Sequence, residues 1–193
     1  SEKEGDYFYL ENRGVVMPVW VRGEIGSGRF VVILHGGPGR SAVKLAADGT
    51  FGALESEHAV VYWDQRGAGS SQGNADADSL RLGQYARDAR ELLALLEARY
   101  DPEELYLVGH DFGATVATRV LERRAQRRRV DGWVFASGMY DVPESIDLSR
   151  EWIEDRVGEV DQSDGGDLYR GDSESKSRAE WYADHAEIDE GKE

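Results

Sequence analysis

The sequence predicts an α/β protein, a mostly parallel sheet flanked by helices. Short apolar runs at 30–34, 59–63, 105–108 and 133–136 read as strands buried on both faces. Helical patterns at 79–100 and 114–129 separate the later runs. Gly-rich turns follow the first three runs, where strand hands over to helix. This β-α-β order indicates parallel strands wound by helices.

The elements follow in chain order. Residues 7–10 and 15–22 are β-rich and flank the turn-like segment 11–14, which makes an antiparallel hairpin. Residues 23–28 form a Gly-rich turn before the run FVVIL at 30–34. Short helices are expected at 41–47 and 51–57, then the strand at 59–63 and a Gly/Ser loop to residue 74. Ser79 looks like an N-cap. After it Leu82, Tyr85, Ala89, Leu92, Leu93 and Leu96 fall at helical spacing, until Asp101-Pro102 stops the helix. A strand at 105–108, a tight turn at 109–113, a helix at 114–129 and a strand at 133–136 complete the core. Later segments read as helices at 146–157 and 178–188 around a polar tract at 161–177.

Composition narrows the function. The 193 residues contain no cysteine, which excludes a disulfide scaffold, thiolate metal sites and a cysteine nucleophile. That fits a reducing compartment, and a cytoplasmic location is expected. No run approaches the roughly 18 apolar residues of a membrane helix, and the acidic N-terminus lacks the regions of a signal peptide. Acids number 38 and bases 23, a net charge of −15 that argues against nucleic acid as a partner. Residues 141–193 alone hold 18 acids and 6 bases. The chain therefore divides into a core at 1–140 and an acidic helical segment at 141–193. The acidic segment lacks metal-ligand spacing, and neither a metal nor a cofactor is expected.

In an open parallel sheet, ligands bind at the carboxyl ends of the strands. Three turns stand there: His35-Gly36-Gly37-Pro38-Gly39, Asp64 to Gly69, and Gly109-His110-Asp111-Phe112-Gly113. The third fits the frame strand, G-x-Nu-x-G, helix, a strained turn that lifts a nucleophile above the sheet. It presents Asp111 at a helix N-terminus, where negative charge is favoured. The amides of Phe112 and of the Gly36-Gly37 loop would face one point and form an oxyanion hole. His35 reads as a loop anchor rather than a base. Asp64 and Arg66 read as supports that hold the strand-end loop by hydrogen bonds.

HGGPG at 35–39, YWDQRGAGSS at 62–71 and GHDFG at 109–113 resemble the α/β-hydrolase fold, most of all the prolyl iminopeptidase-like hydrolases. The resemblance covers about residues 7–140 and implies the first six strands of that family's sheet, with the start of a helical cap near 144–157. It implies a chain that stops inside the cap. The resemblance puts serine at the nucleophile position, where this chain has Asp111. It also implies an acid and a histidine from later strands, and only His185 lies late here.

Aspartate changes the chemistry. Its attack on an amide gives an anhydride that reverts, whereas attack on an sp³ carbon gives an alkyl ester that water hydrolyses. Epoxide hydrolases and haloalkane dehalogenases of this fold resemble that arrangement. Three functions stay open. The first is a prolyl iminopeptidase-like hydrolase of peptide, amide or ester bonds in an incomplete or impaired form. The second is an Asp-nucleophile hydrolase of the epoxide hydrolase or dehalogenase type. The third is a non-catalytic binding or assembly module. The expected partners are a small-molecule or peptide substrate and, at an exposed sheet edge, a second copy or a complementing chain.

Overall fold

The computed structural model describes residues 5–73 and 79–139, together with 144, 145, 147, 148 and 150–152. The chain parts into two compact units, Ser1–Gly138 and Met139–Glu193. The sheet and its helices belong to the first.

Strands β1 (Gly5–Asn12) and β2 (Val15–Gly23) form an antiparallel hairpin, from Gly5↔Arg22 to Asn12↔Val15. Strands β3 (Arg29–Leu34) and β4 (Ala59–Trp63) run parallel to each other. A two-residue strand, β5 (Gln72–Gly73), pairs with Val15 and Val16 of β2. Strands β6 (Glu104–His110) and β7 (Gly132–Ala136) complete the sheet in the order β1-β2-β4-β3-β6-β7. The hairpin joins antiparallel to β4, while β4, β3, β6 and β7 are mutually parallel. The result is a mixed sheet with a parallel heart, and every turn of interest lies at its carboxyl end.

Helix α1 (Ala42–Ala47) connects β3 to β4, and α2 (Leu82–Tyr100) leads to β6. Helices α3 (Phe112–Leu121) and α4 (Arg124–Arg127) connect β6 to β7. Alternation along the strands builds a core on each face. On the α1 side, Val31, Ile33, Val60 and Tyr62 pack with Ala42, Leu45, Phe51 and Leu54. The other residues of these strands, Phe30, Val32, Leu34, Val61 and Trp63, are also buried, as are Leu92, Leu93, Leu96, Val116 and Val120 of α2 and α3. Burying each such side chain contributes about 1.5–3 kcal/mol.

The structure amends four local expectations. The segment at 51–57 holds only a one-turn 3₁₀ helix, Leu54–Ser56. Helix α2 begins at Leu82, with Arg81 rather than Ser79 in the extended N-cap conformation. The helix expected over 114–129 breaks at Arg123, which is extended (φ −78°, ψ 122°). Arg127 Nη1 donates to the carbonyls of Leu121 and Glu122 at 2.8 Å, satisfying the end of α3 that a longer helix would have covered. Strand β7 is not buried on both faces, since Trp133 is 44% and Val134 54% exposed. It is the last strand of the sheet order and pairs with β6 alone among the described residues. Residues 144, 145, 147, 148 and 150–152 are helical. The polar tract at 161–177, the helix at 178–188 and His185 lie outside the described residues.

Candidate active site

The elbow after β6 is the centre of the site. Asp111 stands at φ 55°, ψ −124°, a backbone region that L residues rarely occupy. Its amide donates to Ala136 O of β7 at 2.8 Å, and its carbonyl accepts from Ala114 N at 3.0 Å. The turn is tight because its flanks have no side chains. A Cβ at Gly113 would run into Leu34 O, the carboxyl end of β3. Phe112 opens α3 and is buried, and Tyr85 of α2 meets its ring edge-on at 5.0 Å. Burial pushes the Tyr85 phenol up to about 12, so it packs as a neutral group.

The double-glycine loop lies opposite. Gly37 N–H donates to Asp111 Oδ2 at 3.2 Å, so the carboxylate rests on an amide of the double-glycine loop. Gly36 permits this approach. A Cβ there would stand 2.8 Å from Asp111 Oδ2 and 3.2 Å from His110 Nδ1. Gly36 thus shapes the site by what it lacks, and its carbonyl is engaged by His35.

His35 is buried with both ring nitrogens used. Nε2 accepts from Gln65 N–H at 3.2 Å, so the proton resides on Nδ1, which donates to Gly36 O at 2.8 Å. Gln65 Nε2 returns a bond to His35 O at 2.9 Å. Burial pushes the imidazole below its ordinary range, which keeps it neutral. It fastens the double-glycine loop to the loop after β4.

Asp64 is the second fastening. Oδ1 accepts from Ser41 Oγ at 2.9 Å and Ala42 N at 2.8 Å, and Oδ2 accepts from Ser70 N at 2.7 Å. One buried carboxylate therefore holds the start of α1 and the 66–71 loop together. Arg66 reaches the other way. It makes a bidentate, fully buried pair with Asp88 of α2, Nε to Oδ2 at 2.5 Å and Nη2 to Oδ1 at 3.0 Å. Asn12 Nδ2 and Gln84 Nε2 donate to the same Oδ1 at 2.7 and 2.9 Å.

The sequence reading missed Asp88, Asn12, Gln84 and Gln65. Asp88 had a signal: it sits inside the apolar stripe of α2, three residues after Tyr85 and four before Leu92. An acid there must be paired. The other histidines differ from His35. His58 precedes β4, at the end of the sheet away from the elbow. His110 is exposed and adjoins the nucleophile position.

A parallel-hearted sheet, a strained elbow carrying an acidic side chain and an amide loop facing it define an α/β-hydrolase. The chain belongs to the serine aminopeptidase family S33, whose model matches residues 28–181. It is 33% identical over 96 residues to a probable aminopeptidase, YbaC, of Bacillus subtilis, a stretch covering 49% of this chain and 30% of that protein. Among solved structures it resembles a proline iminopeptidase-related protein from Thermus thermophilus, with 30% identity and a TM-score of 0.60 over 72% of this chain and 47% of that one. It also resembles a variant of the epoxide hydrolase from Vigna radiata, with 26% identity and a TM-score of 0.54 over 67% of this chain and 37% of that one. The chain is thus a prolyl iminopeptidase-like α/β-hydrolase that spans about a third of the length of the curated relatives it matches. No helix among the described residues is long and apolar enough to cross a membrane.

Proposed function

We propose that this chain carries the nucleophile of a hydrolase acting at a saturated carbon, the reaction type of an epoxide hydrolase. The observation behind this reading is the aspartate at the elbow, with one carboxylate oxygen already on the Gly37 amide. In the first step the other oxygen attacks an electrophilic carbon of an epoxide. An O–C bond forms, the ring C–O bond breaks, and the departing oxygen keeps the electron pair and takes a proton from water. In the second step water adds to Cγ of the ester and gives a proton to the hydroxide left by the first, charge develops on Oδ2 against the Gly37 and Phe112 amides, and the Cγ–O bond to the alcohol breaks; the departing alkoxide takes the proton of the new carboxylic acid, which restores the carboxylate. Aspartate suits this sequence because its ester, unlike an anhydride, persists until water arrives. A small-molecule substrate and a cytoplasmic setting accompany this reading, the latter on the cysteine-free composition.

Incubation with an aryl epoxide, followed by peptide mapping, tests it. The expected result is one probe mass on Asp111, absent in Asp111→Asn. An unlabelled Asp111 in folded protein would sink the reading.

The family match favours a second reading, a hydrolase of peptide, amide or ester bonds in an incomplete or impaired form, with aspartate in place of the serine. Asp111→Ser separates the two. Release of nitrophenol from an activated ester by that variant, with no epoxide labelling of the parent, would support the second. A chain inert in both assays would leave the non-catalytic module.

A further inference from the structure

We propose that the seam between α2 and the α3–α4 limb is an anion site, built by Arg87, Arg90, Arg119 and Arg123, for the phosphoryl group of a small phosphorylated ligand. Three levels of that seam lie along α2. Near its start the Tyr85 ring meets Phe112 of α3 at 5.0 Å. Near its end Glu97 pairs with Arg129, just beyond α4, at 3.3 Å. Arg87 and Arg90 stand between these levels, one turn apart on the same helix face. Arg119 of α3 and Arg123, which links α3 to α4, face them from the other limb. The middle level therefore sets cation against cation where the lower one sets acid against base.

Arg90 is the centre of this level. It is partly buried, and among the described residues its side chain makes no hydrogen bond or ion pair, nor do those of Arg87 and Arg123. Burial, and after it the charges of Arg123, Arg87 and Arg119, hold the Arg90 guanidinium below the ordinary arginine range. Glu91 acts the other way, and Glu122 is bonded to Arg119. The local balance is thus basic on a chain whose acids outnumber its bases, 38 to 23. Like charges gathered without partners cost free energy, and a bound anion removes that cost.

The chemistry of the site sets the ligand. Guanidinium forks fit the oxygens of phosphate and carboxylate in pairs. A phosphoryl dianion answers several arginines at once, where one carboxylate answers one fork. Extended polyanions, such as nucleic acid or an anionic membrane, must also approach the rest of a surface of net charge −15. A compact phosphoryl group meets the local field alone, within a Debye length of roughly 8 Å at physiological salt. Bound there, it joins α2 to α3, the helix that follows the elbow.

Calorimetric titration of the full chain with inorganic phosphate and with phenyl phosphate, at an ionic strength held constant with sodium chloride, tests the site. Both probes are expected to bind saturably, the ester at least as tightly as the free ion. Arg90→Gln and Arg123→Gln are each expected to weaken binding about tenfold. Arg128→Gln, an exposed position at the end of α4, is expected to leave it unchanged. Phosphate should also raise the melting midpoint of the parent and not that of Arg90→Gln. Absence of saturable binding, equal weakening by Arg128→Gln, or a chloride series that raises the midpoint as much as phosphate overturns the proposal. Binding of inorganic phosphate with the ester excluded overturns the assignment to a phosphorylated ligand. Tighter binding of a single-stranded oligonucleotide than of phenyl phosphate overturns it in favour of a nucleic-acid surface.

Discussion

His35 shows how one buried side chain ties loop geometry to pH. Burial disfavours its charged form, and its fixed tautomer spans the Gly36 carbonyl and the Gln65 amide. A base whose folded value is depressed binds its proton first in the unfolded chain. Below the ordinary histidine value of about 6.5, the unfolded state therefore holds more protons and stability drops as the pH is lowered. The slope from this one group approaches ~1.4 kcal/mol per pH unit at most, until the lower folded value is passed. His35→Asn is expected to lower stability at neutral pH, because it breaks both bonds, and to flatten the dependence below pH ~6.5. Urea melts at a few acid pH values check this. Parallel curves for parent and variant would show that His35 does not drive the acid loss.

At the scale of elements, the packing of α2 at the carboxyl end of the sheet depends on an ion pair rather than on apolar contact alone. Asp88 accepts from Arg66, Asn12 and Gln84, which joins α2 to the loop after β4 and to the β1–β2 turn. Both charges are fully buried. Removing one leaves the other uncompensated, so Asp88→Ala is expected to cost about 3–5 kcal/mol. The surface pair of Arg119 with Glu122 is the control, and Glu122→Ala should cost under about 1 kcal/mol. Denaturant titration of the two variants decides it, and similar costs would refute the argument. The contrast also explains what could be read beforehand. The strand-end turns were legible because tight backbone approach admits only glycine, as at Gly113 against Leu34, and that constraint is written locally. The partner of Arg66 was not, since it lies 22 residues away on another element. The break at Arg123 was hidden too, because the arginines around it suit a helix, and the side chain that caps its end, Arg127, bonds back to Leu121 and Glu122 only once the chain has turned. Strand β5 has two residues and is defined solely by the strand it meets.

For the whole molecule, apolar edge and net charge pull in opposite directions. Among the described residues β7 is paired on one side only, and it exposes Trp133 and Val134. An edge of this kind recruits another strand unless something opposes it. The opposing term is the net charge of −15, which repels like copies over a distance set by ionic strength. At about 0.01 M salt the Debye length is roughly 30 Å and repulsion reaches across a domain; at about 1 M it is roughly 3 Å and only contact forces remain. Self-association through β7 is therefore expected to strengthen as salt rises, the reverse of a contact held by ion pairs. Sedimentation velocity over a salt series reads this directly. Val134→Lys, which places a charge on the edge while leaving the β6–β7 register intact, should keep the chain monomeric at high salt. Association that weakens with salt, or that survives Val134→Lys, would place the contact elsewhere on the surface.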